Sequence, residues 1–401
     1  MVGPGRPGSA GAEIGKHRFA GVLMMETTNR VVFAGSRAYT LGAELEFQIL
    51  DSNTLDLVPR APALLARIPP ELSEKVTPEF IRSIVEIQTE ICDSVEEVGR
   101  DLRQTIGLVQ DIASEQGCLL YSASLHPFAE PADQILSLGE RYRRIMDELQ
   151  LVGRQFISQG LHVHVGVADQ ETAIRVCDVM QVYLPIFLAL SCSSPFFRGE
   201  DTGLDSYRTK LFEALPLAGI AGYLGSWQAY VDEIAMLQKS GVIRQPKDLW
   251  WDIRPSPGYG TVEIRVCDLP ARFAEVLGLV ALLQALVAAI SEECVKSAPV
   301  SPQLLCANKW QAARHGLAGR FCDPLGLLRS SEQSMGQAVR ELMMRLDPWL
   351  TRFGGQGMEA VEQLVEQGNS ATRQRRYLRR YGTLPAMIQA MREVYWSESE
   401  A

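Results

Sequence analysis

The sequence predicts an α+β fold: a mainly antiparallel β-sheet with helices packed on one face. Two observations carry this. Strictly alternating segments recur along the chain, joined by both short and long connections, and helical patterning fills the last part. In each such segment one set of positions is apolar and the other carries acids, histidine or arginine, as expected of a sheet with one face on a helical layer. The clearest example is Gly260-Thr-Val-Glu-Ile-Arg-Val-Cys-Asp268, where Val262, Ile264 and Val266 alternate with Glu263 and Arg265.

Residues 1–37 read as a Gly/Pro-rich, mostly disordered leader, without the apolar segment and cleavage site of a secretory signal. Thr40–Leu50 is the first strand, with Leu45, Phe47 and Ile49 opposed to Glu44, Glu46 and Gln48. After a turn at 51–53, Leu55–Val58 returns as a hairpin arm. Ile84–Ile91 is a further strand, its Glu86, Gln88 and Glu90 opposite Val85, Ile87 and Ile91. Val95–Glu115 has helical spacing and stops at Gly117. Cys118–Ser124 is extended, Leu138–Gly153 is an amphipathic helix, and Leu161–Val167 is a strand with His162 and His164 on one side. Glu171–Leu190 is an apolar helix that Pro185 should kink or break. Ser191–Arg208 and Asp252–Gly260 read as loops and Ala271–Ser297 as a long helix. Helices continue from Cys306, with breaks near 316–324, 354–355 and 368–369. The expected organisation is a catalytic domain over 38–380, followed by a C-terminal helix and tail over 381–401.

The 401 residues, 46% hydrophobic, suffice for a large core. With 39 basic and 48 acidic residues the net charge is -9 and no long single-sign run occurs, which argues against nucleic-acid binding and for small-molecule partners. The longest apolar stretch, around 276–290, is too short to span a bilayer, so no membrane is expected. The eight cysteines are scattered without a CxxC pair and read as thiols of a reducing, cytoplasmic compartment. The long apolar helix and helical C-terminal third leave room for a homodimer.

If the polar faces of four strands share one sheet, Glu44, Glu46, Glu86, Glu90, His162, His164, Glu263 and Arg265 surround one surface, and Glu79 can join them. Carboxylates this crowded raise one another's pKa unless cations neutralise them. Oxygen donors with an occasional imidazole suit Mg²⁺ or Mn²⁺ better than zinc. An arginine among them suits a phosphate or carboxylate. Any one such strand alone reads as an ordinary solvent-facing strand; their recurrence is what points to a site.

These residues resemble the carboxylate-amine ligase family, the second type of glutamate–cysteine ligase. The matching stretches are Thr40-Leu-Gly-Ala-Glu-Leu-Glu-Phe47, Gly160-Leu-His-Val-His-Val-Gly166, 194–203 with Ser206-Tyr-Arg208, Trp250-Trp-Asp-Ile-Arg-Pro255 and 260–268. Weaker ones lie at 307–316 and 368–375. The resemblance implies a glutamine-synthetase-like fold that binds ATP and two or three Mg²⁺ ions and joins a carboxylate to an amine through an acyl-phosphate, releasing ADP and phosphate. It marks Glu44, Glu46, Glu79, Glu86, His162 and Glu263 as metal ligands, with Glu263 and Arg265 catalytic. Arg208, Arg254 and Arg265 become nucleotide or substrate contacts. The first motif usually has three consecutive acids; here Leu45 stands in the middle and, by alternation, faces the core.

In that mechanism the 191–208 and 252–260 loops are candidate lids. The competing readings are a guanidino-kinase-like phosphotransferase on the same fold, a catalytically silent relative, and a metal-dependent amidohydrolase. The last would need further histidines, and only His17, His126 and His315 remain.

Overall fold

A computed structural model describes residues 31–397. The first thirty residues of the expected leader lie outside that range. Residues just after them are integral to the fold: Ala34 N–H bonds Pro257 O at 2.9 Å, and Phe33 packs edge-on against Trp227.

One sheet organises the chain. Numbering only its strands, they are β1 (Leu41–Asp51), β2 (Val76–Pro78), β3 (Ile84–Gln88), β4 (Cys118–Tyr121), β5 (Leu161–Gly166), β6 (Ile253–Ser256) and β7 (Thr261–Ile264). The order is β6-β7-β5-β1-β3-β2, with β4 on the second half of β1, and every pairing is antiparallel. The α+β expectation therefore holds.

The alternation explains the layering. Leu45, Phe47, Val85, Ile87, Val163, Val165, Val262 and Ile264 are at most 1% exposed, and helices α1 (Val95–Glu115), α3 (Gln170–Ser191) and α4 (Phe273–Glu292) lie against the sheet. Ser94 caps α1 by accepting from Glu97 N, and Gly117 past its end takes φ +69°. Both α3 and α4 are apolar and long enough to cross a membrane, but 94% and 89% of those stretches are buried in the fold, so they are core helices.

Several expectations are corrected. The helix expected over 138–153 is two, α2 (Glu140–Leu149) and Leu151–Arg154, parted by Gln150 at φ +50°. α3 runs through Pro185 without a break, since the flanking layers hold it. The segment Leu55–Val58 returns along β1 through one bridge, Leu50 with Leu57, and forms no strand. The 252–260 stretch holds edge strand β6; Pro255 fits there because an edge strand has a side that donates to no neighbour. A hairpin, Arg320–Cys322 with Glu332–Ser334, interrupts the helical C-terminal region.

Candidate active site

The sheet register builds the site. Across β1, β3, β5 and β7 the directly facing pairs are Glu46 with Glu86, Glu44 with His162, and His164 with Glu263; β6 adds Arg254 opposite Glu263. Side chains at alternate positions share a face, so all of these line one cavity of about 510 Å³, together with Glu79, Arg141, Lys247 and Arg265.

Two groups in it have donor atoms within 4.8 Å of one another: Glu44, His162 and Glu263, and Glu46, Glu86 and His162. His162 belongs to both. Its Nδ1 lies 3.1 Å from Glu44 Oε2, while Nε2 is buried, has no hydrogen-bond partner and lies 3.9 Å from Glu46 Oε1. Burial and the Arg265 charge lower His162 to about 4. Against the cost of burial, bonds from His162 and His164 hold Glu44 well below the usual range. The neutral imidazole therefore donates Nδ1–H to Glu44 and keeps its lone pair on Nε2.

The second group is short of cations. Burial and the Glu79 charge push Glu46 up to about 8; burial and neighbouring acids raise Glu86 well above the usual range, and burial raises Glu79. Such a set binds either protons or hard metal ions. An unpartnered imidazole nitrogen among carboxylate oxygens fits a divalent cation. Glu79 faces the cavity but joins neither group, its Oε2 accepting from Phe80 N at 2.9 Å.

Glu263 is held differently. Arg254 bonds both its oxygens, Nε to Oε2 at 2.8 Å and Nη2 to Oε1 at 3.1 Å, and Arg265 Nη1 also bonds Oε1. Despite burial, these two arginines lower its pKa strongly. Arg265 Nε is buried without a partner, a donor left unsatisfied at the cavity wall.

Other side chains orient these groups. Thr77 Oγ1 donates to Glu86 Oε1 at 3.0 Å, and Gly160 N–H donates to Glu46 Oε2 at 2.6 Å. His164 has both nitrogens engaged, Nδ1 with Thr261 Oγ1 at 2.9 Å and Nε2 with Glu44 Oε1 at 3.3 Å. The sequence reading missed Thr261, although it sits two residues before Glu263 on the same face.

Three expectations fail here. Arg208 is 3% exposed and does not line the cavity; its Nη1 and Nη2 bond the carbonyls of Val266 and Arg265, each at 3.2 Å. It supports the strand end. Glu90 leaves the acid face of the large cavity because β3 ends at Gln88; its side chain is 74% exposed and edges the smaller neighbouring cavity. The 191–208 loop is no lid. Its Ser193 N and Ser194 and Ser206 hydroxyls bond the fully buried Asp268 at 2.9, 2.7 and 2.9 Å, pinning the chain that follows β7. The 252–260 segment does line the cavity, through Arg254, Ser256 and Tyr259. The amidohydrolase reading also loses ground: among the described residues only His162 and His164 are histidines of the cavity, and His126 is spent on Leu55 O and Ala129 N.

A family model described as glutamate-cysteine ligase family 2 matches residues 40–394. A putative glutamate–cysteine ligase 2 of Gloeobacter violaceus is 37% identical over 364 residues, 89% of this chain and 97% of the relative. One of Solibacter usitatus is 34% identical over 359 residues, 88% and 92%. Among solved structures, the glutamate–cysteine ligase of Francisella tularensis in complex with AMP matches with TM-score 0.66 at 14% identity, covering 90% of this chain and 89% of that one. A bifunctional glutathione synthetase of Pasteurella multocida matches at 0.60 and 13%, covering 90% and 51%. At such identities the structural likenesses concern the fold.

Proposed function

The chain belongs to glutamate–cysteine ligase family 2 and is a carbon–nitrogen ligase, and on that premise we propose that it joins a carboxylate to an amine through an acyl-phosphate made from ATP. A carboxylate oxygen of the substrate attacks the γ-phosphorus, the bond to the bridging oxygen breaks, and ADP leaves. The amine nitrogen then attacks the acyl carbon; the carbon–oxygen bond to phosphate breaks, and phosphate and a proton depart.

The observation that carries this is His162 Nε2, buried and unpartnered between two groups of carboxylates. Glu46, Glu86 and His162, through Nε2, would hold one divalent ion, with Glu79 beside them, and Glu44 and Glu263 would contribute to another. Two or three Mg²⁺ ions, or Mn²⁺, match these oxygen-rich sets. Ions held there would supply positive charge to offset that of the phosphates during phosphoryl transfer. Arg265, which lines the cavity, stabilises the transferring phosphoryl group, and Arg254 keeps Glu263 oriented. The nucleoside belongs at the other end of the acid face, in a cavity of about 130 Å³ that shares Glu44, His164 and Tyr259 with the large one and is edged by Thr40, Thr89 and Thr261. Tyr259, 73% exposed, offers a ring for the base.

The test incubates the protein with ATP, Mg²⁺ and panels of carboxylates and amines, and identifies nucleotide product and amide by mass. ADP, phosphate and an amide are expected. AMP and pyrophosphate would sink the acyl-phosphate route.

A further inference from the structure

We propose that the amine this ligase uses carries an apolar or aromatic side chain, which packs on a row of rings lining the Glu79 end of the large cavity. The inference rests on the ligase reading above and names the acceptor class it leaves open.

The row is continuous. Tyr142 meets Phe80 edge-on with centroids 6.0 Å apart, Phe80 meets Phe156 at 6.1 Å, and Phe156 meets Phe212 at 5.0 Å. Arg208 Cζ over the Phe212 ring at 4.6 Å fixes that end. Ile145 of α2 and Leu215 extend the same wall. Tyr142, Ile145, Phe156 and Phe212 are only half-buried although they line the cavity. Tyr142, Ile145 and Phe156 pack on one side against a core cluster that includes Phe80 and leave the rest of their apolar surface to the cavity. The one polar atom of the row, Tyr142 Oη, is already donated to Pro78 O at 2.9 Å.

Position separates this wall from the nucleotide. Tyr142 lies within reach of the charges of Glu79, Arg141, Glu86 and Glu46, whereas Tyr259, at the hydroxyl-edged end, meets the His164 ring at 5.8 Å. A carboxylate lying over Glu44 and Glu46 would therefore have the nucleotide on one side and the ring wall on the other. The amine nitrogen would approach the acyl carbon from this end, and the rings would receive its side chain. The single methylene and thiol of cysteine would cover little of this surface. Burying a side chain the size of leucine or phenylalanine is worth about 10- to 100-fold in affinity.

The experiment has two stages. Hydroxylamine, which turns an acyl-phosphate into a hydroxamate and needs no wall, first identifies the accepted carboxylate from a panel containing glutamate. With that carboxylate, kcat/KM is then measured for phenylethylamine, phenylalanine, leucine, cysteine and putrescine. The expected result is at least a tenfold preference for the best apolar amine over cysteine and putrescine. In Phe212→Ala, KM for that amine should rise fivefold or more while KM for ATP moves less than twofold. Hydroxamate formation with cysteine or putrescine used as well as the apolar amines would overturn the inference and leave the ligase reading standing. A rise in KM for ATP alone in Phe212→Ala would assign the wall to the base and also overturn it. No hydroxamate from any carboxylate would overturn the ligase reading and this inference with it.

Discussion

His162 donates Nδ1–H to Glu44 Oε2 at 3.1 Å, and this one bond decides what the rest of the imidazole does. Glu44 is held ionised and His162 neutral, so the proton sits on Nδ1 and the lone pair on Nε2. That lone pair faces Glu46, buried and without a partner. A carboxylate behind a histidine is the usual device for fixing a metal-binding tautomer.

His162→Ala should therefore weaken Mn²⁺ binding by about 10–100-fold or more. Titration followed by the electron paramagnetic resonance signal of free Mn²⁺ measures this without turnover. An unchanged affinity would remove His162 from the metal groups.

The acid cluster also makes the metal-free protein less stable as pH rises above neutrality. Folded Glu46 titrates near 8 against a usual 4.5, so between those values the folded state holds a proton that the unfolded state has lost. Its stabilisation is complete below 4.5 and disappears as pH rises through about 8. Glu86, Glu79 and His164 are also raised and act in the same direction. His162, lowered to about 4 from 6.5, acts oppositely, but only below 6.5. From about pH 6.5 to 8, urea unfolding in EDTA should show a loss of about 1–2 kcal/mol. Added Mg²⁺ should stabilise more at pH 8 than at pH 6.5, because it replaces those protons. Stability flat or rising over that window would contradict the clustered, cation-poor site.

The acid face was legible because period-2 alternation in Thr40–Leu50, Leu161–Val167 and the 260–268 stretch translates directly into one face of a sheet. Glu90 was misplaced because alternation continues past Gln88 although the pairing stops. Arg208 was misread for a different reason: a motif shows that an arginine matters, and only geometry shows that it bonds Val266 and Arg265 carbonyls. The weaker stretches around Lys309 and Asn369 are clamps as well. Lys309 Nζ lies 2.6 Å from Asp252, whose carbonyl accepts from Arg265 N at 2.8 Å, and Asn369 Nδ2 bonds Ala189 O at 3.0 Å. The ring wall left no period to read, because Phe80, Tyr142, Phe156 and Phe212 come from short or irregular segments that meet only in three dimensions.

Thr261→Val tests the support behind Glu44. Losing the hydroxyl frees His164 Nδ1, which Thr261 holds at 2.9 Å, and the imidazole then no longer presents Nε2 to Glu44 reliably. Metal affinity should fall by about 10-fold, within the range for orienting partners, and Thr261→Ser should restore it. Equal affinities in all three proteins would mean that His164 does not orient Glu44.

Arg208→Met separates the two roles considered for that arginine. As a prop, its loss leaves the Arg265 and Val266 carbonyls without their donors in a buried setting, destabilising the fold by about 1–3 kcal/mol. Arg265 should then be poorly aimed, so kcat falls while KM for ATP stays within about twofold, since no Arg208 atom lines the cavity. Gly160→Ala should also lower kcat, because a Cβ there would lie 2.5 Å from Arg208 Nη2 and 3.3 Å from His162 Nε2, disturbing both the guanidinium and the metal-binding nitrogen. A nucleotide contact predicts the reverse in Arg208→Met: unchanged unfolding free energy and a KM for ATP raised tenfold or more. Urea unfolding together with steady-state kinetics on the two variants decides between them.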